Sequence, residues 1–371
     1  MKKYKALGLM SGTSLDGLDI AYCIFKNNDE KWEYEILHAE TFPYDKEWET
    51  KLKSATELNG RELILLHNEY GKYMGQQVNK FLSKHKDSEP DFIASHGHTV
   101  FHQPEKQMTF QIGSPASLAA ESGKTVIGDF RTLDVAMGGQ GAPLVPIGDI
   151  HLFSEYDFCL NLGGFANISF TQKSKAIAYD ICAVNFVINK LVIEKKIPLK
   201  DYFNCEGDSK YLKCDPDGFI ASKGSVNMDL LDKLNNLEHY NTSGPKSLGE
   251  EWVVKNIWPI LNSYNLSIEN TLCTYYHHVA MQIQNTIDKE KGNKVLITGG
   301  GAYNKYLIKL LKRHIEKEIC IPPKKIIEYK EALIFAFMGL LRTLEKVNSL
   351  ASVTGSSANN IGGSIMIGGS K

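Results

Sequence analysis

The sequence predicts an α/β protein built from two halves that share one order of elements. Its 371 residues are enough for two domains, each with a hydrophobic core of its own. Each half begins with two apolar strands joined by a turn that contains glycine, and a third strand and a helix follow. The predicted unit is of the βββαβα type. Its repetition along one chain indicates internal duplication.

In the first half, three apolar stretches rich in β-branched and aromatic residues predict strands, because such residues favour a pleated, half-buried surface. A long stretch with apolar residues at helical spacing predicts a helix after them. The predicted strands are residues 4–10, 20–25, 34–42, 92–95 and 125–127, and the predicted helices are residues 61–85 and 116–121.

The second half repeats this pattern, with a polar insertion that contains small helices at residues 198–245. The tail is rich in Gly, Ser and Asn, which is typical of a flexible end, although residues 364–367 favour a final strand. The predicted strands are residues 158–162, 166–170, 176–179 and 294–298, and the predicted helices are residues 183–193, 271–288, 304–315 and 330–346.

This pattern predicts a first domain of residues 1–125 with 355–371. The second domain is predicted over residues 126–354, with the insertion at about 198–250. If a two-fold axis relates the halves, their glycine turns face each other, and a nucleotide is expected in the cleft. Ligand sites usually lie in such clefts in two-domain α/β proteins.

The stretch from Gly8 to Asp19, GLMSGTSLDGLD, lies between the first two predicted strands and therefore forms the tip of a hairpin. Backbone N–H groups exposed by glycine, with serine and threonine hydroxyls beside them, can hold phosphate oxygens. The carboxylates of Asp16 and Asp19 suit a hydrated Mg²⁺. The alternative is a surface turn, in which Gly, Ser and Asp are common. The candidate phosphate-binding residues are Gly12, Thr13, Ser14, Leu15, Asp16, Gly17, Leu18 and Asp19.

Composition argues against several classes of partner. The net charge of −1 gives no reason to expect nucleic acid or a membrane surface. The longest apolar run, residues 332–341, is too short to span a bilayer, and no N-terminal signal is expected. The seven cysteines are odd in number and form no CxxC pair, which favours buried thiols in the cytoplasm over disulfides.

Three histidines, His96, His98 and His102, lie close together and raise the question of zinc. No cysteine or carboxylate cluster accompanies them, so no zinc site is predicted. Hydrogen bonding to a substrate and polar packing in the core both remain open for these side chains.

The motifs resemble the actin, heat-shock 70 and sugar-kinase superfamily, and within it the anhydro-N-acetylmuramic acid kinase family. The residues that carry this resemblance extend from residue 4 to about residue 367, and their combination is specific. They are residues 8–19, the SHGHTVFH segment at 95–102, residues 130–131 with Asp134, residues 138–146, 161–168, 245–247, 298–301, 331–332 and 353–355.

The resemblance implies a two-domain, actin-like (ribonuclease H-like) fold and an enzyme that uses ATP and Mg²⁺. In this family the kinase opens the 1,6-anhydro bridge of a recycled cell-wall sugar and phosphorylates O6, giving N-acetylmuramic acid 6-phosphate and ADP. An aspartate activates the water that attacks C1, and Asp180 is the matching residue.

The other implied site residues fall into three groups. Phosphates are expected at the first hairpin and at a second glycine turn, and adenosine at a third, with Mg²⁺ at Asp16 or Asp19. The remaining candidates are Gly163 and Gly164 for phosphate, Gly299, Gly300 and Gly301 for adenosine, and His96, Thr99, Arg131, Asn185 and Glu331 for the sugar.

Three departures from the family pattern put parts of this assignment in question. The family's Asp-Thr-Gly-Pro-Gly-Asn is Asp-Ile-Cys-Ala-Val-Asn here, from Asp180 to Asn185, and Asp180 serves either as general base or as a helix N-cap. His98 replaces a glutamine. Leu-Gly-Glu-Glu at residues 248–251 replaces Thr-Gly-Arg-Glu.

Two other functions therefore stay open. One is a kinase for a different sugar, and the other is a nucleotide-binding protein without catalysis. The expected partner is a small anhydro amino sugar. The oligomeric state is open, with a homodimer as one option.

Overall fold

The computed structural model describes residues 2–12, 14–28, 31–199, 211–242 and 246–369. The chain divides into two compact units. Unit 1 contains the residues up to Ser154, residues 173–176 and the residues from Glu328 onward, and unit 2 contains residues 155–172 and 177–327.

The main sheet of unit 1 has the strand order β13-β7-β4-β1-β2-β3. Strand β2 is antiparallel to both β1 and β3, whereas β1, β4 and β7 are parallel and β13 is antiparallel to β7. Strands β5 and β6 form a separate antiparallel hairpin. The strands are β1 (Lys3–Ser11), β2 (Gly17–Asn28), β3 (Lys31–Pro43), β4 (Phe92–Ser95), β5 (His98–Gln103), β6 (Met108–Ile112), β7 (Val126–Gly128) and β13 (Ser364–Met366).

The longest helix of unit 1, α2 (Gly60–Lys84), begins with a capping box. The Asn59 side chain accepts from the Glu62 N–H, and the Glu62 carboxylate accepts from the Asn59 N–H. Its buried stripe, which includes Tyr70 and Met74, packs with apolar residues of β1 and β4 in one core. The other helices are α1 (Lys46–Lys53), α3 (Pro115–Ser122), α4 (Thr132–Ala136), α5 (Pro146–Leu152), α14 (Ala351–Thr354) and most of α13 (Lys324–Thr343).

The sheet of unit 2 has the order β10-β9-β8-β11-β12. Strand β8 is antiparallel to β9 and parallel to β11, which is parallel to β12. This is the order of β3-β2-β1-β4-β7 in unit 1, with the same antiparallel second strand, so the predicted duplicated actin-like fold is confirmed. The strands are β8 (Phe158–Leu162), β9 (Phe165–Gln172), β10 (Lys175–Ala183), β11 (Lys294–Thr298) and β12 (Glu318–Cys320).

The helices of unit 2 surround a core that includes the fully buried Tyr275 and Tyr276 of α11. Residues 200–210 and 243–245 of the predicted insertion lie outside the described residues. The helices are α6 (Asn185–Glu194), α7 (Met228–Asn235), α8 (Glu238–Asn241), α9 (Glu250–Asn256), α10 (Trp258–Asn262), α11 (Ile268–Ile287) and α12 (Lys305–His314).

Several predicted boundaries differ from the structure. The predicted domain boundaries after residues 125 and 354 both lie within unit 1, because β7 pairs in its sheet and most of α13 belongs to it. The helix predicted from residue 183 begins at Asn185, because β10 continues through Ala183. Helix α13 begins six residues earlier than predicted. The final strand favoured at residues 364–367 is present as β13.

The apolar run at residues 332–341 lies within α13, where most of its side chains are fully buried. In the described part of the chain, every helix is either too short or too polar to cross a bilayer.

Candidate functional site

The first glycine turn is the tip of the β1–β2 hairpin in unit 1. Ser14 and Asp16 are exposed there, and the Leu15 N–H donates to the Gly12 carbonyl at 3.3 Å. Leu15 has a φ of 60°, a left-handed conformation that is uncommon outside glycine. Gly17 has no room for a side chain, since a Cβ would lie 2.5 Å from the Phe42 carbonyl oxygen. Thr13 lies outside the described residues.

Asp19 of β2 lies at the base of this hairpin. The pKa of Asp19 is raised to about 6, chiefly by burial and also by the carboxylates of Glu331, Asp16 and Glu328, while a hydrogen bond from Thr41 Oγ1 opposes the shift. That bond is 2.5 Å long. Because like charges and burial both disfavour the ionised form, a cation beside Asp19 would be stabilised there.

The acidic residues of this hairpin fit Mg²⁺ rather than a metal held by protein alone. Within the described ranges, no group of three or more His, Cys, Asp or Glu residues could hold a metal ion. Mg²⁺ is usually bound through one or two carboxylates together with substrate phosphates and waters. Asp19 and the exposed Asp16 offer that kind of donor set.

Arg131 precedes α4 and is held by two acceptors of unit 1. Its Nε and Nη2 donate to His96 Nε2 at 3.0 and 2.9 Å, and its Nη1 donates to the Gly141 carbonyl at 2.5 Å. His96 is therefore neutral with its proton on Nδ1, which donates to the Gly97 carbonyl at 3.0 Å. Burial lowers the pKa of His96 well below its usual value, and the nearby Arg131 charge lowers it further.

Both ring nitrogens of His96 are thus in use, so the predicted sugar contact by His96 is replaced by a supporting role for Arg131. The guanidinium has five N–H groups, and one on each of Nη1 and Nη2 remains available. Thr99, half-buried on β5, pairs with Gln111 in register, and its contact with the sugar stays a prediction.

Glu331 of α13 links Asp19 and Arg131 electrostatically. Desolvation raises the pKa of Glu331, while the charges of Arg131 and Lys330 lower it. Its own charge raises the pKa of Asp19 and of Arg131. Unit 1 therefore brings three predicted site residues into one electrostatic group.

A buried hydrogen-bonded chain that the sequence analysis missed supports the start of the hairpin. Tyr44 donates to Ser11 Oγ at 2.8 Å, its hydroxyl lies 2.5 Å from that of Tyr70, and Ser11 Oγ lies 3.0 Å from His98 Nδ1. Burial lowers the pKa of His98 to about 4, so the ring is neutral and Nδ1 can accept the Ser11 proton. The departure from the family's glutamine at this position was the available signal.

We expect His98→Ala to lower the free energy of unfolding by about 1–3 kcal/mol, because the buried Ser11 hydroxyl loses its acceptor. It should also raise KM for ATP, since Ser11 directly precedes Gly12. His98→Gln is the matched variant, because its amide oxygen can accept the same bond. Denaturant titrations and ATP kinetics check both, and an alanine variant as stable as the native protein would contradict this role.

In unit 2, the second glycine turn joins β8 to β9 and is bonded to the start of α6. The Gly163 carbonyl accepts from the Asn185 N–H at 3.3 Å, and the Gly164 carbonyl accepts from the N–H groups of Val184 and Phe186 at 2.8 and 3.1 Å. Asn185 Nδ2 donates to the Leu162 carbonyl at 3.1 Å. Asn185 is therefore anchored beside this turn.

The third glycine segment packs against the same end of β8. Gly299 has a φ of 79°, and a Cβ there would lie 2.6 Å from Asn161 Oδ1. A Cβ on Gly301 would lie 2.6 Å from Leu162 Cβ, whereas one on Gly300 meets only Asn185 Nδ2, at 3.9 Å. Unit 2 thus brings together both of its predicted glycine motifs and Asn185.

Gly299→Ala should lower the free energy of unfolding by about 2 kcal/mol or more, because it combines a glycine-only conformation with a steric clash. Gly301→Ala should behave similarly through the clash alone. Gly300→Ala is the matched control and should leave stability nearly unchanged. Thermal unfolding of the three variants checks this order, and equal effects at all three positions would contradict it.

Asp180 lies within β10, and α6 begins at Asn185 with Val184 as its N-cap residue, so the N-cap alternative for Asp180 is wrong. Its Oδ2 accepts from the Leu248 N–H, and its own N–H donates to the Lys246 carbonyl, both at 2.9 Å. Burial raises the pKa of Asp180, and the bond from Leu248 opposes the shift. Asp180 is therefore fixed against Lys246, which belongs to the predicted motif at residues 245–247, and against Leu248, which follows that motif.

The stretch after Asp180 needs no glycine in this chain. Residues 181–184 are buried, and none of them has a positive φ. Their apolar side chains belong to the core of unit 2. The departure from the family pattern is accommodated by an extended strand that packs inward.

Comparison with known proteins settles the family. The family model described as anhydro-N-acetylmuramic acid kinase matches residues 4–368. The chain belongs to this family. Among the kinases of this name, that of Francisella tularensis subsp. novicida is 30% identical, with 98% of this chain and 99% of the relative covered. That of Caldanaerobacter subterraneus subsp. tengcongensis is 31% identical, with 94% and 93% covered.

Some solved structures are more distantly similar to this chain. Component A of (R)-2-hydroxyglutaryl-CoA dehydratase from Acidaminococcus fermentans is 12% identical, with a TM-score of 0.42 and 90% of this chain and 96% of that chain covered. The ROK hexokinase of Thermus thermophilus is 11% identical, with a TM-score of 0.38 and 91% and 99% covered.

Proposed function

We propose that the protein is an ATP- and Mg²⁺-dependent kinase that opens the 1,6-anhydro bridge of anhydro-N-acetylmuramic acid with water and phosphorylates O6. The products are N-acetylmuramic acid 6-phosphate and ADP, as in murein recycling. The observation that carries the proposal is the electrostatic group of Asp19, Glu331 and Arg131 next to a glycine hairpin, in a chain that matches the kinase family along almost its whole length.

The glycine turns are proposed to hold ATP. Backbone N–H groups at the first hairpin and at Gly164 would face phosphate oxygens, and Gly163, whose N–H donates to the Phe165 carbonyl at 3.2 Å, would shape the second turn. Residues 299–301 would lie against adenosine. Asp19, with Asp16 as the alternative, would hold Mg²⁺ together with the phosphates. When bound, Mg²⁺ neutralises charge that develops during phosphoryl transfer.

Asp180 is proposed to take a proton from the attacking water. The water oxygen forms a bond to C1 of the sugar, and the C1–O6 bond breaks with its electrons passing to O6. O6 then takes the γ-phosphoryl group, and ADP leaves. A carboxylate whose pKa is raised by burial is better suited to accept a proton than an exposed one.

Arg131, Thr99, Asn185 and Glu331 are proposed to contact the sugar. Arg131 is the most strongly supported, because it is held in place by His96 and still has two N–H groups to donate. We place the activity in the cytoplasm, which suits the buried residues Cys23, Cys182 and Cys273, whose thiols are not oxidised to disulfides. A homodimer is a further option that a solution mass measurement decides.

A panel of sugars tests the proposed substrate. The protein is incubated with ATP, Mg²⁺ and, separately, anhydro-N-acetylmuramic acid, N-acetylmuramic acid, N-acetylglucosamine and glucose, and products are read by mass spectrometry. Turnover of the anhydro sugar with the gain of phosphate and one water is expected. Phosphorylation of another sugar alone would indicate a different kinase, and ATP binding without any product would indicate a binding protein.

A further inference from the structure

Asp134 of α4 is a completely buried carboxylate to which the proposed reaction gives no role. Its Oδ2 accepts from the Gly141 N–H at 2.8 Å. Its Oδ1 accepts from Ser349 Oγ at 2.9 Å and from Thr354 Oγ1 and Asn360 Nδ2 at 2.8 Å each. These bonds hold the pKa of Asp134 below its usual value although burial opposes them, so the group is charged.

The Asp134 carboxylate joins two segments that are far apart in sequence. Gly141 belongs to the loop after α4, and the donors to Oδ1 lie in residues 349–360 around α14. The Gln140 N–H also donates to the Thr354 carbonyl at 2.7 Å. Two sequence motifs more than 200 residues apart therefore meet at one buried charge.

This loop also carries the acceptor that holds Arg131. Gly141 is bound from both sides, because its N–H donates to Asp134 and its carbonyl accepts from Arg131 Nη1 at 2.5 Å. The Arg131 carbonyl in turn accepts from the Val135 N–H within α4. The negative charge of Asp134 also opposes the effect of burial on the pKa of Arg131.

Two glycines let the loop close tightly over α4. A Cβ on Gly139 would lie 2.2 Å from Asp134 Oδ2, and a Cβ on Gly141 would lie 2.7 Å from Val135 Cγ2. Gly141 also has a φ of 64°, which favours glycine. The close approach of backbone to carboxylate is therefore specific to this arrangement.

We propose that Asp134 is a positioning residue that fixes the Gly141 carbonyl against Arg131 and so orients the guanidinium for the sugar. The inference rests on the proposed function, in which Arg131 contacts the substrate. Asp134 itself touches neither substrate nor ATP in this account.

The test is a double-mutant cycle of Asp134→Asn with Arg131→Lys. Since misplacing a positioning group by about 1 Å can cost about 100-fold, D134N alone should lower kcat/KM for anhydro-N-acetylmuramic acid by about that factor and leave KM for ATP unchanged. In the R131K background, D134N should change kcat/KM by no more than about 2-fold, because both variants remove one interaction. A purely structural defect would lower activity in both backgrounds.

Matched variants keep the test decisive if D134N folds poorly. Gly139→Ala displaces the same carboxylate without removing it and should give the same loss. Ser349→Ala removes one donor to Oδ1, leaves the Gly141 bond in place, and should lower Tm without affecting kcat/KM. Additive effects of D134N and R131K, or an unchanged kcat/KM in both D134N and G139A, would overturn the inference.

Failure of the positioning role of Asp134 can be distinguished from failure of the proposed kinase function. If the native protein makes no phosphosugar, the proposed function fails. Hydrogen exchange then still tests the loop, because D134N and G139A should speed exchange of the Gly141 amide and S349A should not. Equal exchange in all three variants would overturn the positioning role.

Discussion

Asp180→Asn is expected to abolish phosphorylation of anhydro-N-acetylmuramic acid while ATP still binds. The asparagine keeps an oxygen that can accept the Leu248 N–H, so the loop at residues 246–248 should stay in place. What it loses is the ability to take a proton from water. Removing a general base typically lowers the rate by about 10²–10⁴-fold.

Asp215→Asn is the matched control for this result. Asp215 is a buried carboxylate of unit 2, whereas Asp180 is half-buried, and both accept from backbone N–H groups, those of Ile220 and Ala221 in the case of Asp215. Burial raises the pKa of Asp215 to about 6. It lies in none of the site motifs. Steady-state kinetics and ATP calorimetry on both variants check the prediction, and full turnover by D180N would remove Asp180 as the base.

Asp19→Asn should lower kcat on the order of 100-fold, because a charged ligand of the proposed Mg²⁺ site is lost. Asn keeps an oxygen that can accept the Thr41 bond, so the fold should be preserved. Asp16→Asn discriminates between the two candidate carboxylates. A large loss in D16N with little loss in D19N would contradict the choice of Asp19.

Asp19→Asn should lower kcat, but it should not lower the free energy of unfolding at neutral pH. The folded-state pKa of Asp19 is raised to about 6 from 3.8, so the folded protein binds the proton more tightly than the unfolded chain does. The native carboxyl therefore becomes less favourable for folding as the pH rises through about 6. At pH about 7.5, D19N should be at least as stable as the native protein, and the difference should shrink below the pKa. Thermal unfolding without ligand, at pH about 7.5 and at a pH below the pKa of Asp19, measures this difference. A large loss of stability of D19N at pH about 7.5 would contradict the prediction.

Local pattern was enough to predict most elements of both sheets. Strands β4, β8 and β11 coincide with their predicted ranges, because a short apolar run bounded by polar or turn residues is typical of a buried strand. The end of β10 was missed, since the apolar residues 181–184 suit a buried strand and a buried helix equally well. The domain boundary was missed because it depends on which sheet β7 joins, and that is a non-local choice.

The candidate site shows the same division between local and distant information. The glycine turns could be recognised from their residues, and the steric contacts of Gly17, Gly299 and Gly301 explain why glycine occupies those positions. The hydrogen bonds that hold Arg131 and Ser11 could not be predicted from the sequence. Their partners His96, Gly141 and Tyr44 come from other parts of the chain. From the sequence, His96 is a candidate contact for the sugar, whereas in the fold its Nε2 accepts hydrogen bonds from Arg131.

The proposed reaction is tested most directly by turnover of anhydro-N-acetylmuramic acid with ATP and Mg²⁺ in oxygen-18-labelled water. If water opens the anhydro ring as O6 is phosphorylated, the product carries one phosphate and one labelled oxygen, and fragmentation places that label at C1. A phosphorylated product that still contains the anhydro ring, or one whose new oxygen at C1 carries no label, would contradict ring opening by water.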